Sequence, residues 1–152
     1  MRAGLGSDIH RLGEGRKLMI GGIEIPSDKG EIAHSDGDVL IHAVIDSILG
    51  ALAKGDIGAL FPPEDSRFRD ADSKELLRHV LSLYSPRIIN IDATVTLERP
   101  KLRNHIEDIR KSLSAILSIP MDAVSVKAKT AEGLGPIGQG EAISAECITL
   151  IE

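Results

Sequence analysis

Apolar side chains recur along this chain with two periods, one typical of helices and the other of strands. Helical spacing of apolar positions predicts helices at residues 38–53, 72–83 and 104–119. Alternation, or a short apolar run, predicts strands at residues 1–9, 17–25, 88–97, 123–129 and 141–151. Glycine, proline and aspartate predict turns or loops at residues 26–30, 55–58, 61–65 and 133–140.

The order of these elements, ββααβαββ, predicts the fold class. It is typical of an α/β (α+β) two-layer sandwich, with a mixed four- to five-stranded sheet and helices packed on one face. No repeat or linker interrupts residues 1–152, so we expect a single domain. Gly21 and Gly22 fall in the middle of the second predicted strand and indicate a bulge or a turn there.

Composition then narrows the classes of function. The formal net charge is −5 and aromatic residues make up 2% of the chain. Proteins that bind nucleic acids or anionic membranes favour basic patches, and single-strand binders also need aromatic platforms, so we expect neither kind of partner. No apolar stretch reaches the roughly 18 residues of a membrane span. Cys147 is the only cysteine and no signal peptide is evident, so we expect a cytoplasmic protein with a buried, inert thiol.

Asp8, His10 and His42 are the candidate metal ligands. The spacing of Asp8 and His10 places both side chains on one face of a strand. His42 interrupts a strongly apolar helix, where it forms a polar stripe with Asp38 and Asp46. Two interpretations stay open. The three groups could hold zinc with an open fourth position, with Asp46 orienting His42. The stripe could instead face solvent, with Asp38 as a helix cap.

Three further segments each allow a functional and a plain structural interpretation. His34 could donate to an anion at the helix N-terminus or be an exposed loop histidine. Asp56, Ile57 and Gly58 could contact a hydroxyl-rich ligand or form an ordinary turn. Residues 127–133 supply cations, a hydroxyl and a carboxylate before a glycine-rich loop. They could bind a nucleotide diphosphate with a second metal, or be an exposed loop.

Taken together, these motifs resemble the 2-C-methyl-D-erythritol 2,4-cyclodiphosphate synthase family. The resemblance covers essentially the whole chain. It is carried by SDIH at 7–10, IGG at 20–22, AHSDGDVLIHAVIDSILGALAKGDIGALFP at 33–62, ADSKELL at 71–77 and VKAKTAEGLG at 126–135. It implies a homotrimer of small α/β subunits with active sites at the subunit interfaces. The implied reaction converts 4-diphosphocytidyl-2-C-methyl-D-erythritol 2-phosphate into the 2,4-cyclodiphosphate and releases CMP, in non-mevalonate isoprenoid biosynthesis.

The resemblance also implies a role for each site residue. Asp8, His10 and His42 would bind one zinc-type divalent cation per subunit, and Glu132 a second cation, Mg or Mn, together with the substrate diphosphate. His34 and Thr130 would stabilise the transition state. The implied substrate-binding residues are Asp8, His10, His34, Ser35, Asp56, Ile57, Gly58, Phe61, Asp65, Pro100, Lys101, Leu102, Ala128, Lys129, Thr130, Ala131 and Glu132. Those from Pro100 onward would form a cytidine and phosphate pocket that comes largely from a neighbouring subunit.

Three positions depart from the family pattern. Lys129 stands where threonine is common. Pro63 replaces a carboxylate found in some members, so no hydrogen-bonding role is expected at residue 63. Gln139 stands where an arginine often faces the trimer axis, which puts an anion in a central cavity in doubt. Two other functions remain open. One is a metal-dependent phosphatase that uses zinc-activated water, and the other is a non-catalytic trimer that binds metal and nucleotide.

Overall fold

A five-stranded mixed sheet forms one layer of the protein. The computed structural model describes residues 1–62 and 64–152, so Pro63, at which no hydrogen-bonding role was expected, lies outside the described residues. The strands are β1 (Arg2–Glu14), β2 (Leu18–Ile20), β3 (Ile23–Ile25), β4 (Lys29–Ile32), β5 (Ile88–Thr96), β6 (Val124–Lys129) and β7 (Ala142–Ile151). The sheet has the order β4-β1-β7-β5-β6, while β2 and β3 form a separate hairpin. Only the β5–β6 pair of the large sheet is parallel, among the described residues.

Helices cover one face of this sheet. They are α1 (Val39–Leu52), α2 (Ile57–Leu60), α3 (Ser73–Tyr84), α4 (Ile106–Leu117) and α5 (Gly135–Gly138), with 3-10 turns at Ser66–Phe68, Arg103–His105 and Met121–Ala123. α1 packs on β1 and β7, α4 packs on β6, and α3 packs on α1. Gly6, Cys147, Ala93 and Val126 lie side by side across four strands, and all four are buried on the helix side. The predicted mixed α/β fold is therefore confirmed, with five strands in the large sheet.

Two glycines of β1 let α1 lie unusually close to the sheet. A Cβ atom on Gly4 would lie 2.0 Å from the Ser47 carbonyl oxygen, and one on Gly6 would lie 2.0 Å from that of Ala43. Any larger residue would push the helix outward, because real Cβ atoms do not approach backbone so closely. The close approach brings the first half of α1 over the middle of β1.

Asp38 caps α1 from inside the protein. Its carboxylate accepts hydrogen bonds from the backbone N–H groups of Ile41 at 3.0 Å, Gly21 at 2.9 Å and Gly22 at 2.6 Å. Gly21 and Gly22 have φ values of 63° and 84° and form the turn between β2 and β3, as one of the two sequence interpretations expected. Asp38 is 0% exposed and His42 is 8% exposed. The solvent-facing interpretation of this stripe is therefore wrong, although Asp38 does cap the helix.

Four local predictions are wrong for tertiary reasons. β1 does not end at Ile9, because its residues pair with β7 as far as Arg11 and its last four pair with β4. β4 begins inside the turn predicted at residues 26–30. The short helices α2 and α5 lie where a break and a loop were predicted. Within the described ranges, no helix combines the length and apolarity needed to cross a membrane.

Candidate active site

Asp8, His10 and His42 bring one ligand atom each to a common point. Asp8 Oδ2 lies 2.9 Å from His10 Nε2 and 3.0 Å from His42 Nδ1, and the two ring nitrogens are 3.1 Å apart. Zinc bonds of about 2.0–2.2 Å at tetrahedral angles separate ligand atoms by about 3.3–3.6 Å, so a small outward movement would seat an ion. One carboxylate and two imidazoles are also donors that suit zinc. The triad is therefore a potential divalent-metal site.

The strand and the helix position these ligands in different ways. Asp8 and His10 alternate with exposed Ile9, so both point to the helix side of β1. His42 lies on the first turn of α1 and reaches down to them. Burial opposes ionisation of Asp8, but hydrogen bonds and charge from His10 and His42 outweigh it and lower the pKa of the carboxyl group. Asp8 is thus held as the anion that a cation requires.

The other ring nitrogen of His42 faces away from the triad. His42 Nε2 lies 2.9 Å from Ser73 Oγ and 3.2 Å from Ser35 Oγ. Asp46, predicted to orient His42, instead accepts a hydrogen bond at 2.7 Å from the backbone N–H of Ile57. Asp46 lies one turn further along α1, beside the start of α2, so its carboxylate holds that segment.

A pocket of about 240 Å³ opens above the triad. Of the residues predicted to bind substrate, it is lined by Asp8, His10, His34, Ser35, Ile57, Gly58 and Phe61. Ala33, Phe68 and Leu76 complete the wall and were not predicted. The rings of Phe61 and Phe68 meet edge to face, with their centroids 5.1 Å apart. The pocket lining therefore combines apolar side chains with the ionisable triad and His34.

A second pocket, of about 620 Å³, lies at the end of β6. It is lined by the predicted residues Lys101, Leu102, Ala128, Lys129 and Thr130, together with Leu97, Arg103 and Ile106, which were not predicted. Arg103 adds a third cation to those of Lys101 and Lys129. Among the described residues, the two pockets share no lining residue. His34 and Thr130, predicted to act together, therefore line different pockets of one chain.

Thr130 and Glu132 lie beyond the end of β6. Thr130 Oγ1 donates to Glu132 Oε1 at 2.9 Å, and the Ala131 N–H donates to Glu98 Oε2 at 3.2 Å. The backbone of Glu132 adopts the left-handed conformation, with a φ of 53°. One exposed carboxylate cannot enclose a cation, but it could complete an ion that is held mainly by phosphate oxygens.

Three other predicted residues lie outside these two pockets. Asp56 caps α2 by accepting the Ala59 N–H at 2.9 Å. Asp65 caps a 3-10 turn and pairs with Arg67 at 2.6 Å. Hydrogen bonds from Arg67 lower the pKa of the half-buried Asp65 carboxyl group. Pro100 lines a different cavity of about 770 Å³, beside Leu12 and Gln139.

The whole chain matches one family. The profile of the YgbB family matches residues 1–152. The chain belongs to the YgbB family. Many of its relatives are named 2-C-methyl-D-erythritol 2,4-cyclodiphosphate synthase, including that of Salinibacter ruber, which is 51% identical over 157 residues and covers 100% of this chain and 99% of that protein.

Solved YgbB-type structures share this fold. A 2C-methyl-D-erythritol-2,4-cyclodiphosphate synthase in a CDP-bound form has a TM-score of 0.91 at 39% identity, covering 99% of this chain and 100% of that one. The CDP complex of IspF from Plasmodium falciparum has a TM-score of 0.85 at 38% identity, covering 99% and 94% of the two chains. The family and the fold were thus both predictable from the motifs of the sequence.

Proposed function

We propose that this chain is a 2-C-methyl-D-erythritol 2,4-cyclodiphosphate synthase. The observation that carries the proposal is the convergence of Asp8, His10 and His42 beneath a pocket that also contains His34. The match to synthases over the full length of both chains supports it. The substrate would be 4-diphosphocytidyl-2-C-methyl-D-erythritol 2-phosphate, and the products the 2,4-cyclodiphosphate and CMP.

The reaction is an intramolecular phosphoryl transfer. An oxygen of the 2-phosphate attacks the β-phosphorus and forms the new P–O bond. The bond from that phosphorus to the bridging oxygen of CMP breaks, and CMP leaves with the electron pair. The attacking group is already an anion, so no side chain must remove a proton. Positioning and charge stabilisation then supply most of the catalysis.

The residues of the first pocket suit this task. A divalent cation on the triad would supply Lewis-acid polarisation of a phosphate oxygen. His34, on the pocket wall, can donate a hydrogen bond to developing negative charge. Ile57 and Gly58, which line this pocket, would lie against the methylerythritol part of the substrate, and Phe61 and its neighbours would exclude water.

The residues of the second pocket would bind the cytidine and phosphates of the substrate. Lys101, Lys129 and Arg103 give it positive charge, although the chain as a whole is acidic. Thr130 would contact a phosphate, and Glu132 would bind a second cation, Mg or Mn, with the diphosphate. CDP in related solved structures supports a cytidine nucleotide as a ligand, and we propose this pocket as its site.

We propose further that the chain assembles as a homotrimer, so that the two pockets of neighbouring subunits meet. The face of the sheet opposite the helices carries Leu5, Ile9 and Ile148, which are 66%, 60% and 51% exposed. An apolar sheet face without covering helices is typical of a subunit interface. Cys147 is buried, and burial raises the pKa of its thiol, so the thiol is unreactive. A chain with a single cysteine suits a reducing compartment, and we propose a cytoplasmic location.

The His42→Ala variant tests the proposed metal site. We expect it to fold and assemble but to lose bound zinc and CMP release, because two ligands hold zinc far more weakly than three. Elemental analysis and a CMP-release assay measure both. His105→Ala, which removes a histidine from outside the triad, should keep its zinc. Unchanged turnover of His42→Ala would refute the metal assignment.

The products distinguish the remaining functions. Cyclic diphosphate together with CMP supports the synthase. Inorganic phosphate would indicate the phosphatase, which uses zinc-activated water. Tight CDP binding without any product would indicate the non-catalytic trimer.

A further inference from the structure

We propose that Ser73 and Asp36 are positioning residues that hold His42 with its Nδ1 atom facing the metal position. The inference rests on the metal site of the proposed function, and it concerns two residues to which sequence reasoning gave no role at this site. Neither residue lines the pocket above the triad. Both act through His42.

To keep this orientation, the His42 ring needs a hydrogen-bond partner for Nε2, the nitrogen that faces away from the triad. Nδ1 lies 3.0 Å from Asp8 Oδ2 and 3.1 Å from His10 Nε2, so Nδ1 is the nitrogen that would offer its lone pair to a cation held by the triad. The hydrogen of the neutral ring is then on Nε2. Ser73 Oγ, at 2.9 Å from Nε2, is placed to accept it.

Asp36 completes the chain of hydrogen bonds. The Ser73 hydroxyl donates to Asp36 Oδ1, which also accepts the Asp38 N–H at 3.1 Å. Asp36 Oδ2 accepts the backbone N–H of Ser73 at 3.1 Å. The serine hydroxyl thus accepts from the imidazole and donates to a carboxylate. A carboxylate at the far end of such a chain makes the ring nitrogen at the metal more basic.

Burial makes this arrangement specific. Ser73 is 0% exposed, although it is the first residue of α3. A hydroxyl in that position needs both partners, because an unsatisfied buried polar group is costly. An alternative acceptor, Ser35 Oγ, lies further from Nε2, at 3.2 Å, and also accepts the Gly37 N–H.

Two further backbone hydrogen bonds join the loop before α1 to the segment before α3. The Asp36 N–H donates to the Ala71 carbonyl at 3.1 Å, and the Asp70 N–H donates to the His34 carbonyl at 2.6 Å. The start of α3 holds the ring of His42, and the segment just before α3 holds the loop that bears His34. Through these bonds, the metal ligand and the pocket histidine are fixed relative to each other.

Zinc affinity and a cobalt spectrum test the proposal without the substrate. We expect Ser73→Ala to weaken zinc binding about 10- to 100-fold in competition with a chelator. It should also shift the visible absorption of the Co²⁺-loaded protein. Asp36→Asn keeps an acceptor for the Ser73 hydroxyl but removes the negative charge, so its decrease in zinc affinity should be smaller. Ser47→Ala is the matched control, since it removes a buried hydroxyl on α1 that contacts Thr149 of β7 and not the triad, and it should leave zinc affinity unchanged.

Several results would overturn the proposal. They are a folded Ser73→Ala protein with wild-type zinc affinity and cobalt spectrum, an equal loss in Ser47→Ala, or a larger loss in Ser35→Ala than in Ser73→Ala. A wild-type chain that binds no zinc would overturn it as well. A chain in which Ser73 and Asp36 affect zinc binding as expected, but which releases no CMP, would instead refute only the proposed reaction.

Discussion

The pKa of a carboxyl group in this protein depends on the groups that surround it. The pKa of Asp8 is lowered because two imidazoles contact it. Glu31, on β4, behaves in the opposite way, since burial and the nearby charge of Asp38 raise its pKa to about 9. Glu31 is 0% exposed, and its Oε2 accepts the Met19 N–H at 3.1 Å. Among the described residues, its Oε1 has no hydrogen-bond partner. Glu31 is therefore held as a neutral acid.

Replacing Glu31 by glutamine should remove a pH dependence of stability. The unfolded chain loses this proton near 4.5 and the folded chain near 9. Between these values the folded state binds more protons, so the wild-type free energy of unfolding falls as pH rises, by at most about 1.4 kcal/mol per pH unit. Glu31→Gln cannot ionise and should gain stability relative to wild type from pH 5 to pH 8, measured by urea unfolding.

An exposed glutamate provides the control for this measurement. Glu24, on β3, pairs with Lys17 at 2.9 Å at the surface, and Glu24→Gln should follow the wild-type pH profile. A difference between Glu31→Gln and wild type that stays constant from pH 5 to pH 8 would contradict a neutral Glu31.

At the scale of elements, the distance between β1 and α1 determines the triad, because Asp8 and His10 come from the strand and His42 from the helix. Gly6→Ala should separate the two elements. We expect a loss of roughly 1–3 kcal/mol in the free energy of unfolding from the overpacked contact, together with weaker zinc binding. Urea unfolding at a fixed protein concentration and chelator competition measure the two effects.

Gly50→Ala, on the α1 side of the same contact between helix and strand, is the matched control. Its new Cβ atom would meet the Leu5 carbonyl oxygen at 3.6 Å, an ordinary contact. Alanine also favours the helix by up to about 1 kcal/mol. This variant should be at least as stable as wild type, with normal zinc binding. A Gly6→Ala protein as stable as Gly50→Ala would show that the close approach is unimportant.

The contact between α1 and α2 should control substrate binding without affecting the metal. Asp46→Ala removes the acceptor of the Ile57 N–H and frees the segment that presents Ile57 and Gly58 to the pocket. We expect KM for the cytidyl substrate to rise up to about tenfold, equivalent to about 1.4 kcal/mol, with zinc content unchanged. Asp46→Asn keeps an acceptor and should have a smaller effect. Zinc loss with unchanged KM would instead support the orienting role predicted from sequence.

These elements also show how far sequence could predict the structure. The helices α1, α3 and α4 were predicted to within two residues of their ends, because apolar periodicity and capping residues are local signals. β4, with the polar sequence KGEI, was missed because its pairing with β1 defines it. The metal triad follows from the spacing within β1 and one histidine on an apolar helix. Ser73, Phe68 and Leu76 reach the site only through the packing of α3 and the loop before it, which spacing cannot indicate.

At the scale of the whole molecule, the two faces of the sheet differ in their covering. On the open face, Leu5 lies beside Ile148, followed by Asp92 and Ser125 across the strands. The next row contains Ser7, Glu146, Thr94 and Lys127. Lys127 also pairs with Asp92, and this ion pair lowers the pKa of the aspartate. An apolar region beside a charged one is typical of a specific interface.

Charging this open face should separate the subunits but preserve the metal site. Leu5→Asp places a carboxylate at a residue that is 66% exposed in the single chain and buried in the proposed trimer, where an unpaired charge is strongly unfavourable. We expect a monomer by sedimentation velocity. It should retain zinc, since all three ligands belong to one chain, but release CMP at least about 100-fold more slowly. The reason is that His34 and Thr130 line separate pockets, which only neighbouring subunits would bring together.

Leu83→Asp is the control for this variant. It changes a leucine of α3 that is 54% exposed, and the protein should remain trimeric and active. A monomeric Leu5→Asp protein with wild-type activity would contradict the shared active site.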